Sequence, residues 1–492
     1  MKLSELLQGV AVKELHADPA LELGDISYDS RKTQPGDLFV AVTGFETDGH
    51  RFIPMALEKG AACVLCQTPP EEKVPYVLVE DSRLALALCS CNYFGHPSRE
   101  LVPIGITGTN GKTTTTTLLK HVLESIPGNR CGLIGTNHNM IGDRVLETER
   151  TTPESYELQK LLREMVEAGC THLVMEVSSH SLELHRVAGI RYAVGAFTNL
   201  TQDHLDFHGT MEQYAAAKAL LFAQSDRAAI NLDDAWSAFM VEHCPCPAVT
   251  FSERDAGAAL YAQDISLRAD GVAFRVGELS VSLGIPGRFS VYNALTVLAC
   301  GKALGLDLNQ IAQCLSKAQG VKGRVEVVPT DGDYTILIDY AHTPDALENV
   351  LASMKEVTPG RLVAIFGCGG DRDRTKRPIM GRIGAQQADF VIITSDNPRT
   401  EDPAAIVAEV AAGLEGTDTP HQIIVDRVEA IRWAIAHHLP GDLIILAGKG
   451  HETYQIVGKT KYHMDEREIV ADILRQRQAY EPADTGRECS YK

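Results

Sequence analysis

The chain is poor in the features that mark membrane and secreted proteins. Its 492 residues contain no apolar run of about 18 or more residues, the length that a membrane-spanning helix requires. Glu5, Lys13 and Glu14 interrupt the N-terminal segment, where a secretory signal needs uninterrupted apolar residues. We therefore expect a cytoplasmic protein that does not insert into a membrane.

Positive charge is also scarce. The sequence has 46 Lys and Arg against 65 Asp and Glu, which gives a formal net charge of -19 and a pI of about 5.4. Proteins whose main partner is a nucleic acid bind the phosphate backbone with basic surface, so this composition argues against such a partner. An anionic substrate would have to be bound in a local basic pocket.

Cysteine spacing offers no framework of disulfides or metal ligands. The 12 Cys are dispersed along the chain, as in a protein with reduced and mostly buried thiols. The one CxxC pair, Cys63 and Cys66, lies in the apolar run GAACVLC. On a strand an offset of three residues directs the two sulfurs to opposite faces, which disfavours chelation of a metal by this pair.

Length and apolar content predict a multidomain α/β protein. With 44% apolar residues and 41 Gly the chain is typical of folded globular proteins, and 492 residues are too many for one ordinary core. Short strands and helices fill residues 1–98 before the linker-like FGHPSRE. Residues 99–330 repeat the order strand, loop, helix and predict a parallel sheet of the phosphate-loop type, with an antiparallel patch over 250–283. The alternation restarts in residues 331–492, which we predict to be a third, Rossmann-like domain.

Residues 105–116, GITGTNGKTTTT, lie between an apolar run and a helix-like stretch. The general phosphate loop has a first glycine where this chain has Ile106, so the motif is a variant, but its GKT ending is preserved. In such a loop main-chain N–H groups hold the phosphates, Lys112 reaches the β and γ oxygens, and Thr113 supplies a hydroxyl to Mg²⁺. The alternative is a turn whose glycines only cap the helix. The residues assigned to the nucleotide are Gly108, Thr109, Asn110, Gly111, Lys112, Thr113 and Thr114.

Motifs across most of the chain resemble those of the Mur ligase superfamily. They are GTNGKTT at 108–114, YDSR at 28–31, MEVSSH at 175–180, TNLTQDHLDFHG at 198–209, AAAKALLF at 215–222, YNALTVLA at 292–299, DYAHTPDAL at 339–347 and SDNPRT at 395–400. The resemblance implies an ADP-forming ligase that joins an amino acid to a carboxylate. ATP would convert the carboxylate into an acyl phosphate, which the amine attacks.

The same resemblance implies a site for a divalent cation. Glu176 and His204 match the superfamily's Mg²⁺ positions and would join the Thr113 hydroxyl, and Lys218 matches a lysine that reacts with CO₂ to form a carbamate. A free ammonium would repel the cation, whereas a carbamate attracts it. Lys112, Lys218 and His204 are the predicted catalytic residues. Two alternatives remain open: zinc bound by His204 and His208, and an ordinary surface lysine at position 218.

Further residues are assigned by resemblance to the nucleotides. Asn293, Arg324 and Asp339 match positions on the adenine and ribose side of ATP. Tyr28, Ser30 and the segment Phe45, Glu46 and Thr47 match the site for the uridine diphosphate, although several relatives have HQA where this chain has FET. Positions that hold the sugar or peptide part of that substrate correspond to Thr151, Thr152, Ser178 and Arg186.

The segment Asp396, Asn397, Pro398 and Arg399 predicts which amino acid is added. The proline fixes a turn that presents Arg399, and a guanidinium pairs bidentately with a carboxylate. meso-Diaminopimelate carries a second carboxylate at its far end and lysine does not, so lysine would leave the guanidinium unpaired. Arg372, Gly448 and Glu452 are assigned to the same substrate by resemblance.

The expected reactants are therefore ATP with Mg²⁺, meso-diaminopimelate and UDP-MurNAc-L-Ala-D-Glu, and we expect the enzyme to be a monomer. A lysine-adding ligase or a folylpolyglutamate synthase is the alternative within the superfamily. From another class, a nucleotide-dependent binding protein or a plain ATPase would not require the later loops.

Overall fold

The computed structural model describes residues 1–44, 47–71, 73–148, 150–318 and 320–480. These residues divide into two compact units. The first contains the described residues of 1–263, 276–279 and 292–315, and the second those of 264–275, 280–291 and from 316 onward. Among the described residues, no helix has both the length and the apolar character that crossing a bilayer requires.

The strands are short and mostly buried. In chain order they are β1 Val12–His16, β2 Ile26–Ser27, β3 Leu38–Val40, β4 Cys63–Cys66, β5 Tyr76–Val79, β6 Val102–Thr107, β7 Cys131–Ile134, β8 Asn139–Ile141, β9 Arg144–Leu146, β10 His172–Glu176, β11 Val194–Phe197, β12 Ala228–Asn231, β13 Ala248–Ser252, β14 Leu260–Arg268, β15 Gly271–Val276, β16 Leu279–Leu283, β17 Glu326–Val328, β18 Tyr334–Asp339, β19 Leu362–Phe366, β20 Phe390–Ile393, β21 His421–Ile423, β22 Asp442–Ala447, β23 Tyr454–Val457 and β24 Thr460–His463.

The helices alternate with these strands. In chain order they are α1 Leu3–Leu6, α2 Ile53–Glu58, α3 Ser82–Tyr93, α4 Lys112–Glu124, α5 Ser155–Glu167, α6 Ser179–Glu183, α7 Leu205–His208, α8 Met211–Ala223, α9 Ser237–Glu242, α10 Phe289–Leu304, α11 Leu308–Leu315, α12 Pro344–Lys355, α13 Lys376–Gln387, α14 Pro403–Ala411, α15 Arg427–Ala436 and α16 Glu466–Tyr480, with 3₁₀ turns at Gly49–Phe52, Pro97–Glu100 and Ala412–Leu414.

The first sheet has the strand order β1-β5-β4-β3-β2, in which only β1 runs antiparallel to its neighbour. All four residues of β4 are buried. Cys63 belongs to one hydrophobic cluster and Cys66 to another, because residues three apart on a strand face opposite sides. The predicted separation of these two sulfurs is confirmed.

The second sheet carries the phosphate-loop segment on a central strand. Within the first unit its order is β13-β12-β11-β6-β10-β7-β8-β9, and the six strands from β13 to β7 are parallel. β6 lies between β10 and β11, so later strands of the chain are placed on both of its sides and the order of strands reverses there. Open α/β sheets bind their ligands beyond the carboxyl ends of the strands at the point where the strand order reverses. The segment 108–114 begins at that end of β6.

The prediction of an antiparallel patch over 250–283 is wrong for the first strands of that range. β13 and β14 pair in parallel, with Phe251 beside Leu260. The loop between them turns back on itself, since the main-chain N–H groups of Arg254 and Asp255 donate to Ser252 Oγ at 2.8 and 2.6 Å. This loop brings the chain back beside β13 before β14 begins, so the two strands run in the same direction.

The third sheet has the order β17-β18-β22-β19-β20-β21, with β17 antiparallel at one edge and the other strands parallel. β19 and β22 are buried along their whole length, as expected for strands covered on both faces. Loops rich in polar residues follow β18, β19, β20 and β22 and meet at the carboxyl edge of this sheet. A separate hairpin is formed by β23 and β24.

Candidate active site

The loop after β6 has the backbone geometry of a phosphate cradle. Gly108 and Gly111 have φ of +150° and +83°. A Cβ on Gly108 would lie 1.9 Å from Thr198 Oγ1, and one on Gly111 would lie 2.6 Å from Asn293 Oδ1. Gly111 also offers no side chain to cap the first turn of α4, so the N-terminus of this 13-residue helix is open to an anion. These residues therefore fit a nucleotide's phosphates.

Neighbouring residues hold the cradle in place from the end of β11. Thr198 Oγ1 donates to the carbonyl of Asn110 at 2.7 Å, and the Asn110 N–H donates to Asn199 Oδ1 at 2.8 Å. Asn293 is 4% exposed and accepts a hydrogen bond from Thr115 Oγ1 at 3.3 Å. These hydrogen bonds fix the conformation of the loop.

Two lysines converge on one main-chain oxygen of the cradle. Lys112 Nζ and Lys218 Nζ each donate to the carbonyl of Gly108 at 2.9 Å, and Lys112 also donates to the carbonyl of Thr109. Lys218 lies on α8 and is 1% exposed. Burial lowers its pKa well below the ordinary value, and the nearby charge of Lys112 lowers the pKa further. A lowered pKa favours the neutral, nucleophilic form of an amine, which is the form that reacts with CO₂.

Aromatic rings place the histidines of 204–208 beside Lys218. Lys218 Nζ lies 4.5 Å from the centre of the Tyr214 ring. The same ring stacks on His208 at 4.9 Å and is met edge-on by His204 at 6.1 Å. His204 is about half exposed, whereas His208 is buried and its Nε2 lies 2.9 Å from Ser179 Oγ. The two histidines are thus held differently, which fits a single accessible imidazole better than a pair of zinc ligands.

Glu176 is a buried carboxylate at the end of β10. Its side chain is 1% exposed and accepts hydrogen bonds from Thr136 N and Thr136 Oγ1, both at 2.9 Å. β10 pairs with β6, so this carboxylate lies at the same sheet edge as the phosphate loop. Hard oxygen donors at this edge fit Mg²⁺. Within the described ranges, no group of three or more His, Cys, Asp and Glu side chains is arranged to hold a metal ion.

The residues assigned to the sugar and peptide meet around the same strand end. Thr152 Oγ1 donates to the Glu176 carbonyl at 2.9 Å and accepts from Ser178 N at 3.2 Å. Arg186 donates to the Thr152 carbonyl at 3.4 Å and pairs with Glu154 at 2.9 Å. Thr151 lies nearby, since its hydroxyl is 3.0 Å from Thr136 Oγ1.

The residues assigned to the uridine diphosphate are placed only in part. Tyr28 donates to Glu157 of α5 at 2.7 Å, and Ser30 is buried with its hydroxyl 3.3 Å from the sulfur of Met55. Thr47 is exposed and its carbonyl accepts from Gly44 N at 3.0 Å. Phe45 and Glu46 lie outside the described residues.

In the second unit, Asn397 connects two loops of the third sheet. Its Nδ2 donates to Glu452 Oε2 at 2.9 Å, and its Oδ1 accepts from Ile456 N at 2.9 Å and from Lys449 Nζ at 3.2 Å. Lys449 also pairs with Glu452 at 3.2 Å and its side chain is fully buried. This triangle fixes the orientation of Glu452.

Arg399 is held in a left-handed backbone conformation, with φ of +50°. Its N–H donates to the carbonyl of Ile456 at 3.0 Å, and its guanidinium donates to the carbonyl of Gly370 at 2.9 Å. Arg372 is exposed on the adjacent loop, with its guanidinium 3.3 Å from the Asp371 carbonyl. The two arginines therefore share one edge of the sheet.

Three further predicted residues complete this edge. Asp396 is 6% exposed, and a Cβ on Gly448 would lie 2.6 Å from its Oδ2, so that glycine is required for close approach. The main chain of Pro398 packs closely against the neighbouring loop, since a Cβ added to Gly370 would lie 1.9 Å from the Pro398 carbonyl oxygen.

Asp339 is satisfied by the main chain. It accepts hydrogen bonds from Val325 N and Ala341 N, both at 2.8 Å. Burial raises the pKa of this carboxyl, and the charge of Arg324 opposes that rise. The Arg324 guanidinium lies 5.3 Å from the Tyr340 ring centre, and its Nε has no hydrogen-bond partner among the described residues. Arg324 thus has a buried donor available to an anionic ligand.

Models of known families match three successive segments of the chain. "Mur ligase family, catalytic domain" matches residues 23–92, "Mur ligase middle domain" matches 106–301, and "Mur ligase, glutamate ligase domain" matches 323–450. The chain belongs to the Mur ligase family.

Individual relatives agree over nearly the full length of this Mur ligase. A protein of Caldanaerobacter subterraneus subsp. tengcongensis named UDP-N-acetylmuramoyl-L-alanyl-D-glutamate--2,6-diaminopimelate ligase is 47% identical, covering 96% of this chain and 99% of its own. A Clostridium acetobutylicum protein of the same name, numbered 1, is 45% identical over 97% and 100% of the two chains. A solved structure with that ligase name is 32% identical, has a TM-score of 0.74, and covers 97% and 99%. The resemblance and the three-domain α/β fold are confirmed.

Sequence reasoning missed residues that hold the Mur ligase site together. Thr198 and Asn199 fix the phosphate loop, and Lys449 and Arg377 are buried among the loops of the third sheet. Thr198 and Asn199 lie within the motif at 198–209, and the side chains of all four residues hold loops in place. Motif letters do not distinguish that role from ligand contact.

Proposed function

We propose that this chain adds meso-2,6-diaminopimelate to the D-glutamyl carboxylate of UDP-MurNAc-L-Ala-D-Glu, with ATP converted to ADP and phosphate. The observation that carries the proposal is the identity of 47% and 45% to two full-length relatives named as that ligase. The segment from Asp396 to Arg399 supports the choice of amino acid, because it presents a guanidinium at the carboxyl edge of the third sheet.

ATP would bind by its phosphates at Gly108, Thr109, Asn110, Gly111, Lys112, Thr113 and Thr114. The open N-terminus of α4 favours negative charge there, and Lys112 now donates a hydrogen bond to the Gly108 carbonyl and could donate to a phosphate oxygen instead. Asn293 fixes the back of the loop. Arg324 and Asp339 are proposed, from the resemblance, for the adenine and ribose side of the nucleotide.

Thr113, Glu176, His204 and a carbamate of Lys218 are the proposed donors for Mg²⁺. A cation held by these residues would neutralise negative charge during phosphoryl transfer. The neutral amine of Lys218 would attack CO₂, forming a nitrogen–carbon bond and releasing a proton, so that the side chain becomes an anionic carbamate. Burial lowers the pKa of this amine and thereby favours the neutral form that reacts.

The proposed substrate contacts form two groups. Tyr28, Ser30, Thr47, Thr151, Thr152, Ser178 and Arg186 are assigned to the sugar nucleotide. Arg399 and Arg372 would pair with the distal carboxylate of diaminopimelate, while Glu452 would accept from its distal ammonium. The domain limits 1–98, 99–330 and 331–492, and a monomeric state, remain predictions.

The test measures ADP release with ATP, Mg²⁺ and UDP-MurNAc-L-Ala-D-Glu, supplied with meso-diaminopimelate, with L-lysine, or with no amino acid. We expect rapid release and a new amide product by mass spectrometry only with diaminopimelate. Preference for lysine would overturn the assignment of Arg399. Equal phosphate release without an amino acid would indicate a plain ATPase.

A further inference from the structure

Arg377 is a buried cation that the proposed chemistry does not use. It is the second residue of α13 and its side chain is fully buried. Its guanidinium donates to both carboxylate oxygens of Glu401, at 2.8 and 2.9 Å, and to Glu409 at 2.8 Å. Glu401 belongs to the loop that follows β20, so this pair connects α13 to the loop that carries Arg399.

Glu401 also binds the loop that follows β19. Its carboxylate accepts from the main-chain N–H of Asp371 at 2.6 Å, and the Asp371 carboxylate accepts from Thr400 Oγ1 at 2.7 Å and Thr400 N at 3.2 Å. Arg377 also approaches the carbonyl of Gly369 at 3.4 Å. We name the four residues Arg377, Glu401, Asp371 and Thr400 the cross-brace.

The cross-brace spans the two arginines assigned to the amino acid. Arg372 directly follows Asp371, and Arg399 directly precedes Thr400. The loops also touch directly, since Arg399 donates to the Gly370 carbonyl and a Cβ on Gly369 would lie 2.7 Å from an Arg399 nitrogen. A shift of either loop would therefore change the separation of the two guanidinium groups.

We propose that Arg377 is a positioning residue for amino-acid recognition. Through Glu401 it sets the spacing of Arg372 and Arg399, and this spacing selects an amino acid with a distal carboxylate over one that ends in an amine alone. The inference rests on the proposed function and adds to it a residue that touches no substrate.

A purely structural role makes a different prediction. Buried ion pairs often contribute little net stability, because desolvation of both charges offsets their attraction. A pair that only stabilised the fold would affect every substrate alike when removed. A pair that positions the arginines would affect diaminopimelate and leave ATP unchanged, because the proposed phosphate contacts lie on the second sheet.

The experiment compares Glu401→Gln and Arg377→Lys in the full-length enzyme. We expect the KM for diaminopimelate to rise about tenfold to a hundredfold, the range associated with misplacement of a contact by about 1 Å. The KM for ATP should change less than about twofold, and the preference for diaminopimelate over L-lysine should fall. Calorimetric titration with diaminopimelate should show the same loss of affinity without turnover.

Arg361→Gln is the matched control. Arg361 pairs with buried Asp442 at the start of β19 and β22, the opposite edge of the same sheet, at 2.6 Å. This variant should lower the free energy of unfolding and leave both KM values unchanged. If Arg377→Lys does not fold, Thr400→Val removes one link of the cross-brace at an exposed position.

Folded variants with an unchanged KM for diaminopimelate would overturn the inference, as would an equal rise in the KM for ATP. Failure of the unmodified enzyme to join diaminopimelate to the sugar nucleotide would instead overturn the proposed function. The two failures are therefore distinguishable.

Discussion

Lysine and arginine side chains lie at the carboxyl edges of both the second and the third sheet, but their hydrogen-bond acceptors differ. At the phosphate loop, Lys112 and Lys218 donate to the carbonyl of Gly108. In the third sheet, Arg377 and Lys449 donate to carboxylates of Glu401 and Glu452. A carbonyl is a neutral acceptor that a phosphate can replace, whereas a carboxylate already neutralises its cation. The comparison separates cations suited to ligand chemistry from cations that hold loops in place.

The largest effect is expected at Lys218. Lys218→Ala removes the amine that would become the carbamate, so ligation should be lost while the protein stays folded. Short carboxylates added to the assay should restore part of the rate. Lys160→Ala, on the exposed face of α5, serves as the control and should leave the rate unchanged. Full activity of Lys218→Ala without rescue would refute the role and weaken the comparison.

Gly108→Ala tests the cradle itself. The new Cβ would collide with Thr198 and the residue would adopt a φ that side chains rarely tolerate, so the KM for ATP should rise at least about tenfold. Gly128→Ala is the control, since Gly128 has φ of +90° but open space around the added atom. It should cost some stability and no ATP affinity. Equal effects of the two changes on KM would show that backbone strain alone explains the loss.

Arg399→Lys tests whether Arg399 binds the amino acid, in contrast to Arg377 and Lys449, which hold loops in place. Lysine keeps the charge but loses bidentate pairing, so the KM for diaminopimelate should rise about tenfold to a hundredfold, corresponding to about 1.5–3 kcal/mol for a charged hydrogen bond. The KM for ATP should not move. Arg382→Lys on exposed α13 surface is the control. An unchanged KM for diaminopimelate would remove Arg399 from the site.

The smallest effect concerns pH and stability. Hydrogen bonding from Arg377 lowers the pKa of Glu401 from 4.5 to about 2. Because the folded pKa lies below the ordinary value, the contribution of Glu401 is complete above about pH 4.5 and is lost as pH falls toward 2. The urea midpoint should therefore fall less between pH 5 and pH 3 for Glu401→Gln than for the unmodified protein. Identical pH profiles would argue against the pair.

Local sequence patterns predicted much of the fold. One helix of the alternation predicted for residues 99–330 is α5, Ser155–Glu167, in which apolar residues recur at helical spacing and a Gly follows shortly after the end. The apolar run before the glycine-rich loop likewise predicted β6, which ends at Thr107. The parallel pairing of β13 and β14 was missed, since strand direction depends on how the intervening loop closes.

The candidate site was predicted less completely. The residue types that bind phosphate and carboxylate are visible in the motifs around Lys112 and Arg399. The partners that orient them, such as Thr198 and Glu401, come from other elements, and nothing local in the sequence marks those pairings.

The sequence by itself determined the class of fold, the glycine-rich turn between β6 and α4 and, through its motifs, the family. These depend on periodicity and on backbone requirements that act within a few residues. Only the tertiary structure decided that Lys218 is buried beside Lys112 and that Arg377 joins two loops. Burial and the choice of hydrogen-bond partner depend on which distant segments pack together, and that information is not present in any single stretch of chain.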